Sequence, residues 1–269
     1  MYSEKIKILI TGGAGNIGSA LVEKLVRDKN NFVVIVDNLS TGMVSKLPSI
    51  HEHNWKFIKA DVNSLSDISS IMLSYNFDYV FHFAAVVGVQ RTLDFPVEVL
   101  TDIEGIRNIL NLSKNTNIKH VYFSSSSEVY GEPVELPQDE YRTPLNSRLP
   151  YAVVKNVGEC FFRSYWQVYG LPYTIFRFFN TYGPNQSTDF VIAKFLSAAL
   201  RNKDITIYGD GSQTRSFCYV SDLIEGLLRL FFAVNLHEPI NLGNPTPTSM
   251  LDLAKEKLTL ENSCRKNAE

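Results

Sequence analysis

Residues 7–18 read KILITGGAGNIG, and the reading of the fold starts from this stretch. Lys7 to Ile10 is a short apolar run of strand character. The glycines follow it, and the apolar spacing then changes to that of a helix over residues 17–27. Glycines at 13, 15 and 18 satisfy GxGxxG, and those at 12, 15 and 18 satisfy GxxGxxG. Glycine permits the tight turn and lets backbone N–H groups approach a pyrophosphate at the helix N-terminus. By itself such a pattern is equally an ordinary turn. The context separates the two: a strand before, a helix after, and a second strand ending in Asp37, 19 residues past Gly18. A spacing of about 20 is the one expected for a carboxylate that accepts a ribose hydroxyl. That carboxylate would repel the 2′-phosphate of NADP, and no arginine follows closely, so the stretch predicts NAD. Asp61, after the third strand, is either a hydrogen-bond acceptor for the adenine amine or a turn and helix-cap residue.

Working outward, short apolar runs at 8–10, 32–36, 57–58, 79–83, 121–123 and 174–178 read as strands buried on both faces. Helical patterns fall between them at 17–27, 68–75, 97–113 and 152–169. This alternation predicts an α/β fold, a Rossmann-type doubly wound parallel sheet covered on both sides. From Asn180 the texture changes to Gly-Pro and Asn-rich turns, with a helix near 191–201, a strand at 205–208 and a helix near 223–232. We read residues 1–179 as the NAD-binding unit and 180–269 as a smaller α/β substrate lobe, with some crossing of the chain between them. Residues 261–269 are polar and predict a frayed end.

Composition narrows the partners. The 269 residues are 45% hydrophobic and 20% charged, and 26 Lys+Arg against 28 Asp+Glu leave a net charge of −2. The apolar share excludes disorder, and the absence of a basic block argues against nucleic acid or an anionic membrane as partner. No run approaches the roughly 18 apolar residues of a membrane span. Met1 to Lys7 lead straight into a strand pattern, which predicts no signal peptide and a cytoplasmic protein. Cys160, Cys218 and Cys264 are scattered, with no CxxC; they predict reduced thiols and no metal site.

Two features point to catalysis. Tyr151 and Lys155 are spaced by four at the start of a helix, which puts both on one face. A phenol titrates near about 10, so it needs a cation held close to act as a base at neutral pH, and Lys155 can supply one. The pattern YxxxK alone is as readily a solvated helix face. The second feature is SSSSEVYG at 124–131, directly after the strand at 121–123. Ligands of open parallel sheets bind beyond the strand C-terminal ends, where hydroxyls can orient a substrate alcohol.

Together, TGGAGNIG, Asp37, FSSSSEVYG and YAVVK resemble the extended short-chain dehydrogenase/reductases that modify nucleotide sugars. The likeness continues through FNTYGP at 179–184, IYGDGSQTR at 207–215, YVSD at 219–222 and NLGN at 241–244, so it covers nearly the whole chain. Its wording is nearest to UDP-glucuronate decarboxylases, with epimerases and 4,6-dehydratases nearby. The resemblance implies a cofactor set of Gly12, Gly15, Asn16, Ile17, Gly18, Asp37, Asn38, Ser40, Thr41, Gly42, Asp61, Val62, Phe83, Ala84, Ala85, Tyr151 and Lys155. It implies a UDP- or GDP-linked sugar as substrate, in precursor synthesis for polysaccharides or glycans. It further implies that Tyr151 takes the O4 proton as C4 passes hydride to NAD. Ser126 holds the hydroxyl beside Ser127, Lys155 lowers the tyrosine pKa, and Asn180 and Arg215 grip the diphosphate. Relatives usually run several tens of residues longer, so the lobe is pared down or the chain cut short. The helices at 97–113 and 152–169 resemble those that pair in family dimers, which predicts a homodimer or higher homo-oligomer.

The reaction after C4 oxidation is where the family divides. Dehydratases and decarboxylases carry Glu at the place of Glu128, which here is either a second base or a carboxylate capping its loop. The decarboxylases usually have arginines where this chain has Asn185 and Phe190, with Asp189 adjoining. A desolvated glucuronate carboxylate would lack its cations, so a neutral hexose or heptose is expected. Ser126-Ser127 in place of Thr-Asp or Thr-Ser weakens the dehydratase reading, and Asp102 stands where an Asn is common. A 4-epimerase or a net C4 dehydrogenase is the leading expectation, a 4,6-dehydratase or UDP-glucuronate decarboxylase the alternative. A dinucleotide-binding sensor or scaffold without chemistry is the third reading, disfavoured by the Tyr151/Lys155 pair.

Overall fold

The computed structural model describes residues 5–49, 53–231 and 236–256. The first half alternates as read: β1 (Ile6–Thr11), α1 (Asn16–Leu25), β2 (Asn31–Asp37), β3 (Trp55–Lys59), α2 (Leu65–Tyr75) and β4 (Tyr79–His82). Two helices follow, α3 (Val89–Asp94) and α4 (Pro96–Ser113), then β5 (His120–Ser126), α5 (Pro150–Tyr169) and β6 (Tyr173–Phe178). The remainder holds β7 (Thr181–Tyr182), α6 (Val191–Leu200), β8 (Thr214–Ser216), β9 (Cys218–Tyr219), α7 (Val220–Phe231), β10 (Pro239–Leu242) and β11 (Pro247–Ser249).

Seven strands form one sheet in the order β10-β6-β5-β4-β1-β2-β3, and every pairing in it is parallel. The chain winds outward from β1 through β2 to β3, then returns to β4 on the other side of β1. The switch point therefore lies between β1 and β4, and a crevice opens there at the strand C-terminal ends. Ile8, Leu9 and Ile10 of β1 and Val33 to Val36 of β2 are fully buried, as continuous apolar strands between two helical layers require. On one face Leu9, Val34 and Val80 pack with Ile68 of α2, Ile106 of α4 and Phe162 of α5. On the other, Ile8 and Ile35 pack with Leu21 of α1 and Leu223 and Leu227 of α7. A third cluster joins Ile192 and Phe195 of α6 to Met250, Leu253 and Ala254.

Three details differ from the sequence reading. Residues 205–208 form no strand: β8 pairs with β11 instead, and Ile205 and Ile207 pack as irregular chain against the third cluster. The first three of the four serines do not follow the fifth strand but belong to it, and Ser127 opens the turn after it. Ser124, Ser125 and Ser126 pair with Phe176, Arg177 and Phe178 of β6 and are buried. Hydroxyls are tolerated there because each is bonded: Ser124 Oγ, for example, donates to the His82 carbonyl at 3.3 Å. The six-residue α3 was not anticipated. The chain after Asn180 also returns to the large sheet, α7 packing beside α1 and β10 pairing with β6. The expected frayed end, Phe232 and Cys264 lie outside the described residues; Cys160 and Cys218 are free thiols. Among the described residues no helix is long and apolar enough to cross a membrane.

Candidate active site

The strand end that leads into the glycine loop is tied to the end of β4. The Thr11 hydroxyl, at the end of β1, accepts the N–H groups of Phe83 (3.2 Å) and Ala84 (3.3 Å) and lies 2.8 Å from His82 Nδ1. With two donors already pointing at the oxygen, its own proton goes to Nδ1, which is an acceptor in a neutral imidazole. Burial, with the nearby Lys155 charge, lowers the His82 pKa to about 3, so the ring is neutral. β1 and β4 are thus laced together where the crevice opens. Gly12 adopts φ +70°, and a Cβ there would come within 2.6 Å of the Ala84 nitrogen. A Cβ on Gly18 would sit 2.3 Å from the Gly12 carbonyl oxygen. Only glycine lets the loop and the first turn of α1 approach this closely.

The first turn of α1 has no acidic residue and its N-cap, Gly15, provides no side-chain cap bond. Its N–H groups therefore remain available to an anion. Asn16 Oδ1 is buried without a hydrogen-bond partner among the described residues, as a group built to meet a ligand would be. Asp37 ends β2 with its carboxylate accepting from Ala14 N (3.0 Å) and Leu39 N (2.8 Å) while lining the crevice. Asp61 serves as a turn residue, accepting from Asn63 N at 2.8 Å, and lines the same wall, with Asn38 Nδ2 3.3 Å away. The residues present therefore fit a dinucleotide, its pyrophosphate at Gly15 to Gly18 and its adenosine ribose at Asp37.

Farther along, the crevice reaches the hydroxyls and the phenol. α5 begins at Pro150, whose fixed φ suits the first helical position, so Tyr151 and Lys155 occupy its opening turns. Burial pushes the Tyr151 phenol up to about 12, an effect countered by a hydrogen bond with Ser126 and reinforced by the charges of Glu128 and Asp102. Burial also lowers Lys155 to about 8, against the stabilising charge of Asp102. Lys155 does not offset the burial of the phenol at this separation. Its Nζ lies 5.7 Å from the Tyr151 ring centre and donates to Ser124 Oγ at 3.4 Å, so desolvation of the phenol dominates.

One continuous crevice of about 590 Å³ brings together nearly all of the expected cofactor and substrate residues: Gly12, Gly15 to Gly18, Asp37, Asn38, Ser40, Thr41, Asp61 with Val62, Phe83 to Ala85, Ser126 to Glu128, Tyr151, Lys155, Asn180 and Arg215. Gly42 is the exception. It lies against the Asp37 carboxylate, where a Cβ would come within 2.6 Å of Oδ1, and supports that group from behind. Arg215 lines the crevice without a carboxylate partner among the described residues. Asn180 is fixed at φ +24° with its Nδ2 donating to the Ser216 carbonyl at 3.1 Å.

Comparison with known proteins places the chain in a family. The sequence model of the NAD dependent epimerase/dehydratase family matches residues 8–243. The chain belongs to that family. This epimerase/dehydratase-family chain is 36% identical over 262 residues to UDP-glucuronic acid decarboxylase 6 of Arabidopsis thaliana, covering 94% of this chain and 74% of the relative. It is 33% identical to the dTDP-D-glucose 4,6-dehydratase of Bos taurus over 94% of this chain and 72% of that one. Among solved structures it is similar to the UDP-glucose 4-epimerase of Thermotoga maritima, crystallised with UDP-glucose. The TM-score there is 0.89 at 31% identity, over 96% of this chain and 83% of the other. The family is NAD-dependent, and its relatives here divide among decarboxylases, dehydratases and epimerases.

For this family member, sequence reasoning missed several wall residues. Val86, Thr92, Leu93 and Phe217 line the crevice, contributed by α3 and by irregular chain that carries no periodicity to read. Asp102, noted in the sequence as a departure, turns out to be a buried crevice residue whose Oδ2 accepts from Val86 N at 2.7 Å. Burial raises its pKa, partly offset by that bond and by Lys155.

Proposed function

We propose that the protein oxidises C4 of a neutral hexose or heptose carried on a nucleoside diphosphate, and acts as a 4-epimerase or as a net C4 dehydrogenase. The observation that carries this reading is the charge of the crevice. Among its described lining residues the cations are Lys155 and Arg215, against four carboxylates: Asp37, Asp61, Asp102 and Glu128. Lys155 serves the tyrosine, and Arg215 offers a guanidinium fork suited to phosphate oxygens. No cation then remains for the carboxylate of a uronic acid, and Phe190 occupies a place where the resemblance to decarboxylases calls for arginine.

In this scheme bound NAD supplies the hydride acceptor. Tyr151 takes the O4 proton, Ser126 holds the O4 hydroxyl, and Asn180 with Arg215 fixes the diphosphate. A phenol pushed up to about 12 becomes a useful base only when positive charge is brought beside it. Lys155, charged below about pH 8, is the chain's own source of that charge. Re-reduction of the 4-keto sugar on its opposite face would complete an epimerisation; release of the ketone would make the protein a net C4 dehydrogenase.

A 4,6-dehydratase is the second reading, favoured by one observation: Glu128 lines the crevice beside Ser127, where a further base could reach the sugar. Incubating the NAD-loaded protein with UDP- and GDP-hexoses separates the readings by NMR of the product. A C4 epimer or 4-keto sugar supports the proposal, and a 4-keto-6-deoxy sugar supports dehydration. The nucleotide is identified by thermal shift, since only the preferred diphosphate stabilises the fold strongly. Tyr169 and Trp166 of α5 are exposed and support a homo-oligomer built on α4 and α5, which sedimentation tests.

A further inference from the structure

Below the Tyr151 and Lys155 turns of α5, two charges are buried where an apolar pair would have served stability as well or better. Glu159 follows Lys155 by four residues, so Tyr151, Lys155 and Glu159 form one stripe along the helix. Glu159 is fully buried, and Arg177 on β6 is 1% exposed. The guanidinium meets the carboxylate as a fork, Nε donating to Oε1 at 2.9 Å and Nη2 to Oε2 at 2.6 Å. Ser125, the residue between Ser124 and Ser126 on β5, donates its hydroxyl to Oε1 at 2.7 Å. Arg163 reaches Oε2 at 3.4 Å from the helix surface.

The other edge of the same guanidinium runs toward the Glu128 turn. Arg177 Nη1 donates to the Tyr130 hydroxyl at 2.7 Å and to the Glu140 carbonyl at 3.2 Å. Tyr130 OH in turn donates to Asn241 Oδ1 at 2.8 Å. Asn241 Nδ2 reaches the Gln138 carbonyl at 3.0 Å, and its backbone N–H the Glu140 carboxylate at 2.7 Å. Tyr130 closes the short turn Ser127–Tyr130 that carries Glu128. One buried side chain thus touches, through a single partner each, the helix that presents Tyr151 and Lys155 and the turn that presents Ser127 and Glu128.

We propose that Arg177, with Glu159 and Tyr130, is a positioning residue that sets the depth of the Tyr151–Lys155 helix against the serine strand and the Glu128 turn. A planar fork fixes both angle and distance, which dispersion contacts between apolar side chains do not. A misplacement of about 1 Å at a reacting group costs on the order of 100-fold in rate, so such a clamp acts on catalysis more than on affinity. The proposal rests on the C4 oxidation reading for its kinetic readout, and carries a second readout that does not.

The test uses the full-length, NAD-loaded protein and three variants: Glu159→Ala, Glu159→Gln and Tyr130→Phe. With the nucleotide sugar that the wild type turns over, Glu159→Ala is expected to lower kcat about 30- to 100-fold with KM within about threefold. Glu159→Gln, which retains an oxygen for Ser125 and for one arm of the guanidinium, recovers kcat to within about tenfold of wild type. Tyr130→Phe, which keeps the ring and severs only the arm to the turn, lowers kcat about 5- to 20-fold. Circular dichroism melting confirms that each variant is folded at the assay temperature. The readout independent of substrate is the Lys155 titration, followed by NMR of 13C-lysine-labelled protein and assigned with Lys155→Met. It is expected to move by half a pH unit or more in Glu159→Ala. A kcat within twofold of wild type in both Glu159→Ala and Tyr130→Phe, or an unmoved Lys155 titration, would overturn the proposal. A wild type inert toward nucleotide sugars would overturn the functional reading alone, and the lysine titration would still decide this one.

Discussion

The Asp37 carboxylate, at the end of β2, holds the backbone N–H of Ala14 at 3.0 Å inside the glycine loop. The group assigned to the cofactor ribose therefore also fixes the loop that receives the pyrophosphate. Asp37→Ala loses both functions. Hydrogen bonds to a charged group contribute about 1.5–3 kcal/mol, so the Kd for NAD should rise about 10- to 100-fold. The preference for NAD over NADP should shrink at the same time, because the repulsion of a 2′-phosphate is gone. Calorimetric titration with both cofactors checks the two effects together.

Gly18→Ala should damage the same loop by steric means. The added Cβ meets a backbone oxygen at 2.3 Å, which no side-chain rotation relieves. Overpacking of this kind costs about 1–3 kcal/mol, equivalent to a fall in Tm of several degrees, with loss of NAD binding. Gly226→Ala in α7 is the control, since its Cβ would have an ordinary contact of 3.6 Å with Leu242. Differential scanning fluorimetry of both, with and without NAD, should show damage in the first variant alone.

Lys155 gives a pH prediction. Its folded-state pKa is lowered from 10.5 to about 8 by burial. Below about pH 8 the amine is charged in both states, and burying that charge destabilises the fold by on the order of 3 kcal/mol. Between about 8 and 10.5 the unfolded chain binds the additional proton, so stability rises with pH. Lys155→Met should therefore raise the Tm of the cofactor-free protein by several degrees at pH 7, with a gain that fades toward pH 10. The same variant should lose turnover. A Tm lowered at pH 7, or a gain that grows with pH, would contradict the assignment.

Much of this was legible in the sequence because the physics acts locally. The glycine loop, Asp37 and the Tyr151/Lys155 spacing each follow from chain geometry over one or two turns, and all fall in one crevice. The serines were legible as a cluster but not as a strand, because four hydroxyls in a row carry no alternation to read. The place of Ser124 to Ser126 in β5 depends on partners at long range, among them His82 and Glu159. The strand expected at 205–208 failed for the complementary reason: a β-branched run needs an edge to pair with, and β11 takes β8. The outcome at Tyr151 turned on burial, which motif spacing does not report.

Glu128 distinguishes the readings of the reaction. Under C4 epimerisation or dehydrogenation it takes no proton from the sugar, and Glu128→Gln should lower kcat less than about fivefold. Under dehydration it acts on C5, and the same variant should lose the 10²- to 10⁴-fold typical of a missing general base. Solvent deuterium reports the same difference, since only C5 proton removal incorporates it at C5.

Tyr151-dependent oxidation at C4 of a neutral sugar has a direct test. NAD-loaded wild type and Tyr151→Phe should be incubated with UDP-glucose, UDP-N-acetylglucosamine, UDP-glucuronate and GDP-mannose, followed at 340 nm and by NMR of the products. Wild type is expected to convert a neutral sugar to its C4 epimer or 4-keto form with all carbons and oxygens retained, and Tyr151→Phe to slow this by about 10²-fold or more. Release of CO2 from UDP-glucuronate, loss of water from a hexose, or undiminished turnover by Tyr151→Phe would contradict it.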